Sequence, residues 1–110
     1  MKDDKIYLIH IIESIRSIES YIEPGESEFF RSKLIQDAVI RNLEIIGEAT
    51  KRISKELRLK EYDIPWKEMA GLRDVLIHDY FGVDLDILWN VVRKELPRIH
   101  ILIQSLIEET

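Results

Sequence analysis

The sequence predicts an all-α fold, an antiparallel bundle of four to five helices in a single domain covering residues 1–110. Apolar residues recur at steps of three and four in every long segment, and no run alternates at period two. Only three prolines and four glycines are present, too few to mark an interdomain linker. The connections are therefore short, which favours antiparallel neighbours around one core.

The first helix is predicted from Asp4 to about Ile22, because its apolar side chains return to one face. These are Leu8, Ile11, Ile15, Ile18 and Ile22. The stretch from Glu23 to Glu26 ends this helix, since proline lacks an amide donor and glycine allows left-handed dihedrals.

A second helix is predicted from near Ser27, which can cap it, to about Ser54. Gly47 lies inside this helix, where glycine costs about 1 kcal/mol relative to alanine. Core packing against another backbone is the preferred explanation. The stretch from Glu56 to Asp63 then loses its periodicity and is strongly charged.

A third helix is predicted to restart around Pro65, with proline in its first turn, and to continue towards Gly82. Asp84 can cap a fourth helix. Its buried face consists of Leu85, Leu88, Trp89, Val92 and Leu96. Pro97 either kinks this helix or begins a fifth, which places Ile99, Leu102, Ile103, Leu106 and Ile107 on one side.

The most informative stretch runs from Arg73 to Tyr80, where three chemically capable side chains lie within eight residues. The Arg73 guanidinium can hold a phosphate, the His78 imidazole can move protons near neutral pH, and the Tyr80 hydroxyl can be modified. Asp74 shares a helix face with His78 and can orient its ring. This combination indicates phosphate chemistry.

Helical geometry separates the two main candidates. In an ideal helix Arg73 and His78 lie ~140° apart around the axis, so they do not share one face. Arg73 reaches the same site only if the helix unwinds near His78, or if a second copy of the chain supplies it. Surface ion pairs and a helix-capping histidine are the structural alternative for these residues.

The composition excludes several classes of protein. The chain has no cysteine, which excludes disulfides, thiolate metal sites and cysteine nucleophiles and favours the cytoplasm. No apolar run approaches the ~20 residues needed to cross a bilayer, so no membrane partner is expected. The net charge is −5, so any RNA contact must be local. We predict no metal site and no cofactor.

Two segments together resemble the HepT-like branch of the HEPN superfamily, and the resemblance spans nearly the whole chain. One runs from Trp66 to Asp84 and contains an RxxxxHxY signature at Arg73, His78 and Tyr80, followed by Leu-Trp at 88–89 and Leu-Pro at 96–97. The other runs from Asp37 to Arg52. The signature is moderately specific alone and strong in this context.

The resemblance implies a single HEPN domain that forms a homodimer and acts as a metal-independent endoribonuclease, the toxin of a type VII toxin–antitoxin system. The implied catalytic residues are Arg73 and His78, with Asp74 in support. The implied antitoxin is a minimal nucleotidyltransferase of the MntA type, which transfers AMP to Tyr80 and with which the dimer can form a larger hetero-oligomer. The alternative is a non-catalytic helical module that binds RNA or a nucleotide and serves or regulates such a partner.

Other polar and aromatic residues favour structural explanations. We interpret Asn42, Glu44 and Glu48 as solvated or ion-paired positions of the second helix, although a bundle could turn one or two towards the cleft. We assign His10 and His100 to surface or packing roles, and Trp66 and Trp89 to the core rather than to stacking on RNA. The basic residues Lys51, Arg52, Lys55, Arg58 and Lys60 could contact phosphates, but a solvated helix end is preferred. The isoleucine stripe of the first or last helix is a candidate dimer face.

Overall fold

The computed structural model describes residues 2–72 and 84–109. They form α1 (Lys2–Tyr21), α2 (Glu26–Arg31), α3 (Lys33–Lys51), α4 (Lys55–Lys60), α5 (Trp66–Ala70), α6 (Leu85–Asn90), a π-helical turn (Val91–Glu95) and α7 (Leu96–Glu109). No strand occurs in these two ranges, and the all-α prediction is confirmed. No helix in them is long and apolar enough to cross a membrane.

The core forms where α1 packs between α3 and α7. Ile11, Ile15 and Ile18 of α1 are fully buried. The Asp4 carboxylate meets Ser54 just beyond the end of α3. At the other end of α1, Arg16 donates to Gln104 of α7 at 3.0 Å. Asp4 joins the start of α1 to the end of α3, so these two helices are antiparallel. Towards the end of α1, Arg16 meets Gln104 and Glu19 meets the earlier residue His100, so α1 is antiparallel to α7 as well, as predicted.

Gly25 lets the chain turn after α1, as the sequence predicts. Its φ is +105°, a conformation that side chains with a Cβ rarely adopt, and its amide donates to the Ile22 carbonyl at 3.0 Å. Gly25 also directly precedes α2, so Gly25 and not Ser27 stands at the capping position of this helix. No side chain caps α2, so the prediction of Ser27 as a cap is wrong.

The prediction of one continuous helix from Ser27 to Ser54 is also wrong. The chain breaks at Ser32, whose backbone is extended and whose hydroxyl accepts a hydrogen bond from the Ile35 amide at 3.2 Å. The Gln36 side chain donates to the carbonyls of Phe29 and Phe30 at the end of α2. Side-chain hydrogen bonds therefore satisfy backbone groups at the break, which periodicity alone does not reveal.

The charged stretch from Glu56 to Asp63 contains a helix that periodicity did not predict. Ser54 caps α4 by accepting from the Leu57 amide at 3.1 Å. Of the six residues of α4, none is fully buried, and Leu57 alone packs against the core. One core contact in six residues is too little to produce a readable apolar period, and the cap is what identifies the helix.

The C-terminal half follows the predicted pattern. Asp84 caps α6, accepting from the amides of Asp86 and Ile87 at 3.0 and 3.2 Å. Near Pro97 the helical backbone continues without a break: the Leu96 amide donates to the Val91 carbonyl five residues earlier, closing a π-helical turn that leads directly into α7. Because Pro97 has no amide hydrogen, the hydrogen-bond ladder changes register just before it.

Candidate active site

The predicted catalytic and modified residues, Arg73, Asp74, His78 and Tyr80, lie outside the described residues. The structure instead fixes the two ends of the segment that carries them. One end is Leu72, which follows α5 and is buried. The other is Asp84, the cap of α6.

The helix that leads to the motif, α5, is held firmly in the core. Trp66 and Met69 are buried, and the Trp66 indole donates to the Glu61 carbonyl at 2.9 Å. Gly47 of α3 faces the backbone of α5, and a Cβ on Gly47 would lie 3.3 Å from the Ala70 carbonyl oxygen. The prediction that another backbone approaches Gly47 is confirmed, and this approach sets the position of the chain just before Arg73.

A groove begins where α5 ends. Met69 and Leu72 form one wall, while Val91 of the π-helical turn and Ile99 of α7 form the other. Its rim is charged, with Lys67 and Glu68 on one side and Glu95 and Arg98 on the other. The charged groups of Glu95 and Arg98 are 3.7 Å apart. This groove lies next to the chain that enters the motif, so it is the described surface nearest in sequence to the candidate active site.

A second groove lies between α1 and α3. Tyr7 and His10 line it from α1, with their rings edge-on at 6.1 Å. Arg41, Glu44 and Glu48 line it from α3, together with Arg52, the residue that directly follows α3. Arg41 was not singled out from the sequence, because a single exposed arginine on a helix carries no signal until its neighbours are known.

The remaining polar candidates take local roles. Asn42 donates to the Ala38 carbonyl of its own helix at 2.9 Å, and Glu48 lies 3.6 Å from Lys51. His100 contacts Glu19 across the α1–α7 interface, with 2.7 Å between Nδ1 and Oε2. No group of three or more His, Cys, Asp or Glu side chains that could hold a metal ion occurs in the part of the chain that the structure describes.

Both tryptophans pack as predicted. Trp66 is buried, and its indole donates to the Glu61 carbonyl. Trp89 is half-buried and its ring lies 4.9 Å from that of Phe29. The Arg93 guanidinium covers the outer face of Trp89, 5.7 Å from the ring centroid. Trp66 presents no open face for a base, whereas Trp89 still lines a groove at the surface.

Comparison with known proteins identifies relatives along almost the whole chain. The family model described as "Ribonuclease HepT-like" matches residues 11–106, a range that includes the motif. A Thermococcus cleftensis protein named "Probable ribonuclease HepT" is 46% identical over 97 residues, which cover 87% of this chain and 88% of that protein.

Two relatives come from Methanocaldococcus jannaschii. One, named "Putative RNase", is 44% identical over 99 residues, covering 89% of this chain and 91% of its own length. The other, named "Gamma-glutamylcyclotransferase and putative RNase", is 54% identical over 109 residues, covering 98% of this chain. The match covers 49% of that relative, so this chain spans about half its length. No solved structure matches the chain significantly.

Proposed function

Because this chain belongs to the ribonuclease HepT-like family, we propose that it is a metal-independent endoribonuclease in which Arg73 and His78 are catalytic and Asp74 supports His78. The match to the family model over residues 11–106 carries the proposal, since it includes all three residues. The buried α5 supports it, because a helix fixed by Gly47 and Trp66 provides a rigid base for the segment that begins at Arg73.

The proposed reaction needs only the RNA and two proton-transfer groups. A base removes the proton of a ribose 2′-hydroxyl, and the resulting oxygen attacks the adjacent phosphorus. The bond from phosphorus to the 5′ oxygen breaks as an acid protonates that oxygen, giving a 2′,3′-cyclic phosphate and a 5′-hydroxyl. His78 suits the proton transfers, and Arg73 suits the charge that develops on phosphorus, because its fork of donors is permanently charged.

We propose that two copies of the chain complete this site. Arg73 and His78 diverge by ~140° around an ideal helix, so one copy does not easily direct both at one phosphate. In a dimer, two histidines are available, one as base and the other as acid. Light scattering tests this directly, because a strictly monomeric protein at micromolar concentration contradicts a shared site.

Control of the enzyme is assigned to Tyr80. We propose that this chain is a cytoplasmic toxin of the type VII class and that a minimal nucleotidyltransferase of the MntA type is its antitoxin. The Tyr80 oxygen would attack the α-phosphorus of ATP and release pyrophosphate, leaving AMP two residues from His78. The bulky anion would exclude RNA and occupy Arg73. Mass spectrometry after incubation with such a partner and ATP should find added AMP on the wild type and none on Tyr80→Phe.

The catalytic assignment is tested with RNA in the presence of EDTA. Wild type is compared with His78→Ala and Arg73→Ala, and Arg31→Ala serves as the matched control because Arg31 is an exposed arginine of α2 that lines neither groove described above. We expect cleavage by wild type and Arg31→Ala, and a loss of about 100-fold or more in the two motif variants. Equal cleavage by all four proteins would refute the assignment. RNA binding without cleavage by wild type would favour the non-catalytic module.

A further inference from the structure

The corner between α3 and α4 is basic in an otherwise acidic chain. Residues 51–60 contain five basic side chains and one acidic side chain, a local net charge of +4 in a chain whose net charge is −5. A polyanion is repelled by most of this protein, so a local cluster of cations decides where it binds. The corner is the strongest such cluster in the sequence.

These cations are presented from a fixed part of the backbone. The buried Asp4 carboxylate accepts from the Ser54 amide at 2.7 Å and from the Ser54 hydroxyl at 2.6 Å. The same hydroxyl caps α4. Asp4 thereby ties the start of α1 to the corner. Ion pairing is sparse: Lys51 lies near Glu48, whereas Arg52, Lys55, Arg58 and Lys60 make no ion pair with any described residue.

Arg58 is the best placed of these cations. Its side chain is half-buried, and its Nε is fully buried without a hydrogen-bond partner. A surface arginine held by packing loses less conformational entropy when it binds a phosphate than a freely moving lysine does.

An exposed aromatic ring adjoins the cations in the chain. Tyr62 is 82% exposed, although the turn that carries it is well fixed. The Glu61 amide donates to the Leu57 carbonyl at 2.9 Å, the Trp66 indole donates to the Glu61 carbonyl, and Ile64 is buried. A solvent-facing ring on a fixed turn, two residues after a run of cations, is a suitable surface for an unpaired base to stack on.

We propose that the corner patch, formed by Arg52, Lys55, Arg58, Lys60 and Tyr62, binds single-stranded RNA outside the catalytic motif. The cations hold phosphates and Tyr62 stacks on a base. Arg52 also lines the α1–α3 groove with Arg41, so the contact can extend along α3, where Glu44 and Glu48 limit it to a narrow track. The exposed ring favours RNA over an acidic protein partner. This inference rests on the proposed ribonuclease function only for its choice of RNA as the anion.

Binding is measured separately from cleavage with a fluorescein-labelled, fully 2′-O-methylated RNA oligonucleotide, which lacks the attacking hydroxyl. The variant Arg52→Gln/Lys55→Gln/Arg58→Gln removes three patch cations. The control Arg31→Gln/Lys33→Gln/Lys94→Gln removes the same charge elsewhere. Fluorescence anisotropy is recorded between 50 and 400 mM salt, and circular dichroism checks that both variants remain helical.

Each phosphate contact to a single strand contributes about 0.7 to the slope of log affinity against log salt. The patch variant should therefore lose about 2 units of slope and more than about tenfold in affinity at 50 mM salt, while the control should lose little slope. Tyr62→Ala should weaken binding about fivefold or more without changing the slope, and Tyr62→Phe should bind like wild type.

If the patch variant binds the RNA with the same affinity and the same salt slope as the control variant, the inference is overturned. The outcome is distinguishable from failure of the catalytic proposal. If His78→Ala cleaves ordinary RNA as well as wild type while the patch variant binds weakly, the patch stands and the catalytic assignment fails. If His78→Ala is inactive and the patch variant binds normally, the catalytic assignment stands and the patch fails.

Discussion

Replacement of Asp4 tests whether the contact between α1 and the α3–α4 corner stabilises the fold. In Asp4→Ala, the amide and hydroxyl of Ser54 lose a buried carboxylate that accepts from both at 2.7 and 2.6 Å. Hydrogen bonds to a charged group contribute about 1.5–3 kcal/mol each, and two that share one carboxylate are not independent. We expect a loss of about 3 kcal/mol, a large share of the roughly 5–15 kcal/mol of a small domain.

The neighbouring Asp3 supplies a matched control. Asp3 lies in the same first turn of α1 but is exposed. Asp3→Ala removes the same charge from the helix N-terminus, where it is worth about 0.3–1 kcal/mol. The difference between Asp4→Ala and Asp3→Ala therefore isolates the contact with Ser54, and it should be about 2–3 kcal/mol.

The assay is urea unfolding followed by circular dichroism at one fixed protein concentration, because any self-association shifts the apparent stability. The slope of the free energy against urea should stay the same in all variants. A difference of less than about 0.5 kcal/mol between the two variants would refute the reasoning. A double-mutant cycle with Ser54→Ala adds a second check: the two substitutions should not be additive, since both remove the carboxylate–hydroxyl bond.

Substitutions at Gly47 and Trp66 test the support of α5, with Gly71→Ala as a control. Gly47→Ala should destabilise the protein by about 1 kcal/mol, because crowding of the α5 carbonyl outweighs the gain in helix propensity. Gly71→Ala should be close to neutral, because a Cβ there would make only ordinary van der Waals contacts. Thermal unfolding measures both, and stabilisation by Gly47→Ala would mean that α5 yields easily. Trp66→Phe should cost about 1 kcal/mol beyond its lost area, because the Glu61 carbonyl loses its indole donor. Unchanged stability in urea would show that water replaces the indole.

The fold class and most of the core follow from the sequence because burial leaves a periodic signal. The stripes of α1 and α7 were predicted correctly, and so was the role of Asp84, since an aspartate directly before a periodic segment is a cap signal. The break at Ser32 was missed because apolar residues continue on both sides of it. Only the hydrogen bonds of Ser32 and Gln36 distinguish two helices from one.

The candidate functional residues were also predictable from the sequence only in part. Arg73, His78 and Tyr80 were singled out because three reactive side chains in one short segment are chemically unusual, and they stay predictions. The corner patch needed the structure, because the sequence shows the charges but not that Arg58 is half-buried or that Tyr62 is exposed. Exposure and pairing depend on contacts between residues far apart in the chain, which composition does not encode.

The position of α1 between α3 and α7 also imposes an order on how the chain assembles. α1 can meet α3 as soon as about half of the residues have been synthesised, but its contacts through Arg16 and Glu19 wait for Gln104 and His100, 88 and 81 residues later. At roughly 5–20 residues per second, several seconds separate these events during translation. In that interval the far side of α1 lacks its partner helix, and the nascent chain exposes apolar surface that the 14 residues of α7 later cover.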